Sequence, residues 1–120
     1  MATITNTTDR DTLAGAIIAT WTAMGNADTG TAISVPYAAE ITFQVSGTFG
    51  GATVVLEGSN DGTNWSTLGA MVGTNCSLTS AGIRKASENP VFVRAKTSGG
   101  TGTAVVATVA LHARYAKAPY

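Results

Sequence analysis

The amino-acid sequence predicts an all-β domain, an antiparallel β-sandwich, on three observations. Several segments alternate apolar and polar residues with the period of a half-buried strand. Turn residues separate these segments at intervals of roughly 8–12 residues, which is typical of sandwiches and barrels. No segment of the 120-residue chain has a strong helical pattern. The length suits one domain, and the irregular loop lengths favour a jelly roll of two four-stranded sheets.

The segment Ala38–Ser46 shows the alternation well, since Ile41, Phe43 and Val45 are separated by polar residues. Such a strand buries one face and leaves the other in solvent. The other predicted strands are Ala16–Met24, Thr31–Val35, Thr53–Gly58, Trp65–Leu68, Asn75–Thr79, Ile83–Ala86, Val91–Thr97 and Thr103–Tyr115.

Within Ala16–Met24, the spacing of Ile17, Trp21 and Met24 also suits a helix. The β-branched and aromatic residues, together with the glycines that flank the segment, favour a strand instead.

The first twelve residues, 1–12, are predicted to form an extended N-terminal arm, and residues 13–120 the sandwich domain. Beyond Met1, the arm has one large apolar residue, Ile4, so it offers little surface to a core of its own. It is either a frayed end or a strand that a neighbouring molecule orders, with Ile4 as the anchor. At the other terminus, Tyr and Arg are residue types that interfaces favour, and the predicted interface residues there are Arg114, Tyr115, Lys117 and Tyr120.

The composition argues against disorder and against a charged partner. Hydrophobic residues make up 44% of the chain, charged residues only 12%, and the formal net charge is zero. A chain without net charge exerts no overall field on nucleic acid, and no stretch approaches the ~20 apolar residues of a membrane span. We therefore expect neither a nucleic acid nor a membrane as partner. The polar start of the chain favours synthesis in a cytoplasm.

Charge is unevenly distributed along the chain. Residues 1–61 hold six acids and one base, whereas residues 62–120 hold six bases and one acid. In a sandwich the two halves interleave, so this asymmetry can vanish on folding; otherwise it favours docking onto a charged surface or onto copies of the chain.

No combination of residues indicates catalysis, a metal or a cofactor. The lone histidine, His112, lies inside a predicted strand, and the lone cysteine, Cys76, lies in an alternating segment that favours a buried side chain. One histidine without a nucleophile motif makes neither a histidine-rich metal site nor a triad. The chain is therefore not expected to be an enzyme.

A polar loop, Asn60 to Asn64, is the most distinctive local feature. Asp61 and Gly62 tolerate the positive φ of a tight hairpin turn, Asn60 or Asp61 can bond the turn backbone, and Trp65 is expected to pack back across the sheet. Trp21 and Trp65 are both expected in the core. The loop also offers oxygen ligands, but it lacks the alternating acids and distal glutamate of a calcium loop.

The sequence from Leu56 to Leu68 reads Leu-Glu-Gly-Ser-Asn-Asp-Gly-Thr-Asn-Trp-Ser-Thr-Leu. It resembles a hairpin found in discoidin-type (coagulation factor 5/8 C-terminal) sandwiches and in small tailed-phage virion proteins, including jelly-roll cement or decoration proteins of capsids. The single cysteine and the Thr-, Ala- and Gly-rich composition resemble the phage proteins more. That resemblance implies no catalytic residues.

The leading hypothesis is a capsid cement or decoration protein of a tailed phage. It would lie on the virion capsid surface, contact the major capsid protein and form a homo-oligomer, a dimer or a trimer. The alternative is a carbohydrate-binding module of a phage tail or bacterial surface protein. An exposed aromatic ring on one sheet face would favour the alternative, and Tyr37, Tyr115 and Tyr120 are the candidates.

We expect a chelator to leave the melting temperature unchanged, because the loop from Asn60 to Asn64 holds one carboxylate, Asp61. Thermal melts with and without EDTA measure this directly. A clear loss of melting temperature in EDTA would show that the loop binds a structural cation.

Overall fold

Twelve strands form the part of the chain that the computed structural model describes, residues 2–11, 16–35, 39–71, 73 and 75–113. The strands are β1 Thr3–Ile4, β2 Thr7–Asp11, β3 Ala16–Met24, β4 Thr29–Gly30, β5 Ile33–Ser34, β6 Ala39–Thr48, β7 Thr53–Ser59, β8 Ser66–Thr67, β9 Ser77–Leu78, β10 Gly82–Lys85, β11 Phe92–Ser98 and β12 Ala104–Ala113. No helix long and apolar enough to cross a membrane occurs among these residues.

The strands form two sheets that pack as a sandwich, which confirms the predicted fold class. The seven-stranded sheet has the order β1-β4-β11-β7-β8, with β5 also on β11 and β9 on β7. The five-stranded sheet has the order β10-β6-β12-β3-β2. All pairs are antiparallel except β1 with β4, which is parallel. The jelly-roll topology stays a prediction.

The core lies between the sheets and follows the alternation in the sequence. In β6 the three apolar residues of the predicted stripe, Ile41, Phe43 and Val45, are at most 1% exposed. The inward residues of β7, β11 and β12 are at most 2% exposed; they are Val54, Leu56, Val93, Ala95, Val105, Ala107, Val109 and Leu111. Burial of this apolar surface is the main force that holds the sheets together.

A β-bulge explains the spacing in β3 that also suited a helix. Trp21 pairs with Ala107 and Met24 pairs with Val105, so Thr22 and Ala23 together oppose a single residue of β12. Ala23 takes a positive φ of 54° at this point. The extra residue shifts the alternation by one, and Trp21 and Met24 therefore both face the core, although they are three residues apart.

The N-terminal segment contributes two strands that pair within the sandwich, whereas the sequence predicted an arm outside it. Thr3–Ile4 pairs with β4 of one sheet, and Thr7–Asp11 pairs with β3 of the other. Ile4 packs against the core of its own domain. Backbone hydrogen bonds, rather than apolar area, hold the segment, and for this reason its polar composition did not reveal the pairing.

A buried polar network fixes where the segment starts. The Asp28 carboxylate accepts hydrogen bonds from the backbone N–H of Ala2 at 3.0 Å and of Gly25 at 2.7 Å. Thr97 of β11, which is fully buried, accepts the Asp28 N–H at 2.9 Å and donates to the Gly25 carbonyl. Satisfied buried polar groups of this kind specify one arrangement, since an unpaired one costs ~1–3 kcal/mol.

Trp21 connects the two sheets directly. Its indole Nε1, on β3, donates to the carbonyl of Thr31, just after β4 of the opposite sheet, at 3.0 Å. Gly30 lies against the ring so closely that a Cβ there would be 2.5 Å from Nε1. The residue beside the ring can therefore carry no side chain.

We expect Gly30→Ala to lower the free energy of unfolding by ~1–3 kcal/mol, because the added methyl group must displace the buried indole. Gly25→Ala is the matched control, because its Cβ would meet neighbours only at ordinary contact distances of 3.4 and 3.5 Å. Urea denaturation of the two variants measures the difference. Equal stability would mean that the ring does not restrict Gly30.

Candidate interaction surface

The outer face of the seven-stranded sheet carries an ion pair between two largely buried side chains. β7 and β11 pair so that Glu57 lies directly opposite Arg94. Because Leu56, Val93 and Ala95 point into the core, these two side chains point outward. Arg94 Nε donates to Glu57 Oε1 at 2.9 Å, and the side chains are 23% and 12% exposed. The pair joins the acidic and basic halves of the chain, as Lys85 and Glu40 do at 2.7 Å elsewhere.

Trp65 lies on this ion pair and not in the core, where the sequence placed it. The Arg94 guanidinium carbon is 4.1 Å from the centroid of the Trp65 ring, and the residue is only half-buried. A cation held over an indole face gains about 0.5–1 kcal/mol at an exposed site. Trp21, by contrast, is fully buried as expected. The difference arises because Trp65 precedes a two-residue strand, β8, at the sheet edge.

The loop that precedes Trp65 is ordered by its own hydrogen bonds. Asp61 Oδ1 accepts from the backbone N–H of Thr63 and of Asn64, both at 2.8 Å, and from Ser59 Oγ at 2.9 Å. Asp61 Oδ2 accepts from Asn64 Nδ2 at 2.8 Å. Ser59 Oγ in turn accepts from the N–H of Gly62 at 2.8 Å. The first residue, Asn60, accepts from the Val91 N–H at 3.1 Å and so ties the loop to the start of β11.

These hydrogen bonds change the acidity of the loop. Donation from the backbone of Asn64 and Thr63, then from the side chains of Asn64 and Ser59, holds the pKa of Asp61 far below its usual 3.8. A lowered carboxyl pKa means that the loop bonds persist in acid and are lost only when the pH falls through the lowered pKa.

The connection between β7 and β8 is longer than the tight hairpin turn that the sequence predicted. The last pair of β7 and β8 is Gly58 with Ser66, so residues 59–65 form the connection. Gly62 has a φ of 76°, a conformation that favours glycine, within a loop closed by side chains. Hydrogen bonds to the oxygen atoms of Ser59 and Asp61 hold this loop together, where a tight hairpin turn would be held by the pairing of adjacent strands. The residues of the loop alone do not distinguish a tight turn from this longer connection.

The remaining residues singled out in the sequence lie apart from this surface. His112 is exposed on β12, opposite Glu40. Cys76 is fully buried, and that burial raises the pKa of its thiol to about 11. No group of three or more metal-ligating side chains occurs within the described ranges. The predicted interface residues Arg114, Tyr115, Lys117 and Tyr120, and also Tyr37, lie outside the described residues.

Sequence reasoning missed the partnership of Trp65 with Arg94. Along the sequence, Phe92 is the only aromatic residue close to the basic residues of β11, and Trp65 is 29 positions before Arg94. Only the register of β7 against both β8 and β11 brings them together. The result is a half-exposed ring, a guanidinium and a carboxylate on one sheet face, which can contact an extended protein surface or stack on a sugar.

Comparison with solved structures identifies a shared fold. The chain is similar to the SPBc2 prophage-derived protein YomS, with a TM-score of 0.62 and 13% identity over 80% of this chain and 94% of that chain. The likeness at this identity is one of fold. Weaker similarities, with TM-scores of 0.43 and 0.40, were found to the K1 cleaved adhesin domain of Lys-gingipain from Porphyromonas gingivalis W83 and to the pre-peptidase C-terminal domain of a collagenase from Bacillus anthracis.

Those two domains share 10% and 20% identity with the chain. The first likeness covers 92% of this chain and 84% of the adhesin domain, and the second covers 93% of each. TM-scores this low establish no relationship. No protein-family model matches the sequence, and no curated protein does. The discoidin resemblance rests on the hairpin residues alone.

We expect Gly62→Val to lower the free energy of unfolding by ~1–3 kcal/mol, because a β-branched residue is strained at positive φ. The space is not limiting, since a Cβ would meet Phe92 Cε2 at 3.7 Å. Gly62→Asn is the matched control, because asparagine tolerates the left-handed region. If chemical denaturation found valine as well tolerated as asparagine, the backbone of Gly62 would not be conformationally restricted.

Proposed function

We propose that this protein is a structural virion protein of a tailed bacteriophage, a capsid cement or decoration protein that stabilises contacts between capsomers. The observation that carries the proposal is the fold shared with a prophage-derived protein, since the matched region covers 94% of that protein. The hairpin from Leu56 to Leu68 and the low charge density agree with it. The protein acts by binding, without catalysis or a cofactor, on the capsid surface after synthesis in the bacterial host.

The surface of Trp65 supports a contact with the major capsid protein. Trp and Arg are the residue types that dominate binding energy at protein interfaces, above all where neighbouring groups exclude water. Arg94 contacts Glu57 on one side and the indole of Trp65 on the other. The guanidinium and the indole are therefore both oriented before a partner binds. Oriented side chains lose little conformational entropy on binding.

A carbohydrate-binding function is the second candidate, and the half-exposed Trp65 favours it more than the sequence did. Sugar rings present C–H groups that pack on an indole, while polar groups around the ring can bond the hydroxyls. The nearby groove of about 300 Å³ is lined by amide, hydroxyl and carboxylate groups, with Pro90 and Leu68 as apolar members. These polar members include Asn60, Asn64, Ser66, Thr67 and Glu88.

We expect Trp65→Ala to weaken attachment to capsids by about 2 kcal/mol, roughly thirty-fold in Kd, as loss of a buried aromatic anchor does. Met71→Ala is the control, because Met71 is a 61% exposed apolar side chain that does not line this surface. Binding of the purified protein to capsids stripped of it, followed by sedimentation, measures both variants.

Co-purification of the wild-type protein with salt-washed virions is the accompanying test. If the protein is absent from virions and binds immobilised glycans in a Trp65-dependent manner, the cement function is wrong and the carbohydrate-binding function takes its place. If Trp65→Ala bound capsids with unchanged affinity, the contact with the capsid would lie on another surface of the protein.

A further inference from the structure

We infer that Asp61 is the residue at which this protein forms isoaspartate, and that hydrogen bonds to Ser59 slow the reaction in the folded state. Isoaspartate forms when the backbone nitrogen that follows an aspartate attacks the side-chain carboxyl group. A glycine in the following position favours the attack, because it has no side chain to hinder the nitrogen. Asp61 is the one Asp or Asn in the sequence that a glycine follows, and both Asp61 and Gly62 are exposed to water.

The reaction at this pair is a dehydration followed by a hydrolysis. The nitrogen of Gly62 forms a bond to Cγ of Asp61, and the proton of that nitrogen leaves with one carboxyl oxygen and a second proton as water. The product is a cyclic succinimide. Water then adds to one of the two ring carbonyls and opens the ring. Opening at the side-chain carbonyl restores aspartate, whereas opening at the backbone carbonyl leaves the chain connected through Cγ, which is isoaspartate.

Ser59 engages both of the groups that must react. The N–H of Gly62 donates to Ser59 Oγ at 2.8 Å, and Ser59 is only 4% exposed. The same hydroxyl donates to Asp61 Oδ1 at 2.9 Å. Attack on Cγ breaks both hydrogen bonds, because the nitrogen loses its proton and the carboxyl group must turn toward it. Removal of one hydroxyl group therefore releases the nucleophile and the electrophile together.

The carboxylate of Asp61 has further partners that oppose the reaction. Oδ1 accepts from the backbone N–H of Thr63 and of Asn64, and Oδ2 accepts from Asn64 Nδ2, all at 2.8 Å. These donors fix the orientation of the carboxylate and favour its ionised form. An oxygen of the ionised form cannot leave as water until it is protonated. The loop thus slows each of the steps that lead to the succinimide.

Isomerisation would change the loop that leads to Trp65. The isoaspartate backbone is longer by one carbon, and its carboxylate lies on Cα instead of at the end of a side chain, so the bonds to Thr63 and Asn64 are lost. Trp65, which follows directly, packs on Arg94 at 4.1 Å. The isomerised protein should therefore attach to capsids more weakly. This last consequence rests on the proposed function, whereas the isomerisation itself does not.

The test compares the rates at which full-length chains form isoaspartate at neutral pH. Methylation by isoaspartyl methyltransferase quantifies the product, and peptide mapping locates it. We expect the folded wild type to react more than about tenfold slower than the same chain in urea, because several hydrogen bonds are lost on unfolding. Ser59→Ala, which removes two hydrogen bonds, should react roughly tenfold faster than the folded wild type. Ser46→Ala is the matched control, an exposed serine on β6 that should leave the rate unchanged.

Melting curves establish that each variant is folded at the temperature of incubation, so that a faster rate reports the loop and not unfolding. If Ser59→Ala does not fold, Asn64→Ala takes its place; it removes only the exposed bond to Oδ2 and should react about threefold faster than the wild type. Isoaspartate mainly at another residue, equal rates for the folded and unfolded wild type, or a folded loop variant no faster than the wild type would overturn the inference. No capsid enters these measurements, so their failure leaves the proposed function standing.

Discussion

The two sheets are held in one relative position by the contact between Trp21 and the chain around Gly30. Most of the core is aliphatic, and aliphatic side chains attract without defining direction. The indole adds a hydrogen bond across the sandwich, from β3 to the carbonyl of Thr31, and a ring against which only glycine fits. The bulge at Ala23 depends on the same contact, since it keeps Trp21 and Met24 on one face. β1 pairs with β4 beside this contact, since Ile4 lies opposite Gly30.

Two ion pairs on the outer faces of the sheets connect neighbouring strands. Glu57 with Arg94 and Glu40 with Lys85 each connect an acid of the first half of the chain to a base of the second. The uneven charge of the sequence is in this way partly neutralised by strand pairing. The two outer faces differ, because one carries an aromatic ring on an ion pair and the other carries mainly hydroxyl, amide and aliphatic side chains beside the Lys85–Glu40 pair.

The sequence alone predicted the strands in which apolar and polar residues alternate. β6, β7 and β12 were predictable because burial of one face imposes a period of two on apolar residues. Three features were not predictable from that pattern. The N-terminal strands are held by backbone bonds, which leave no trace in hydrophobicity, and the bulge changes the period locally. Trp65 satisfies every expectation for a core residue except its position at a sheet edge, and that position depends on pairing between distant segments.

The candidate surface was predictable to a smaller degree than the fold. The loop residues Asn60, Asp61 and Gly62 were identifiable because their local chemistry favours turns, but a local pattern does not determine how long the connection is. Arg94 had no distinguishing signal, since a single arginine in a strand is common. Its significance comes from the two neighbours that the register provides, one carboxylate and one ring.

The burial of Cys76 also determines how the protein responds to oxidants. Only the thiolate reacts readily with peroxide or with a disulfide, and a thiol with a raised pKa and no exposed surface is almost never in that form. As the one cysteine in the sequence, it is also the one residue through which copies could become linked by a disulfide. The folded protein therefore keeps Cys76 as a thiol both in a reducing cell and in an oxidising environment, and only unfolding would expose that sulfur.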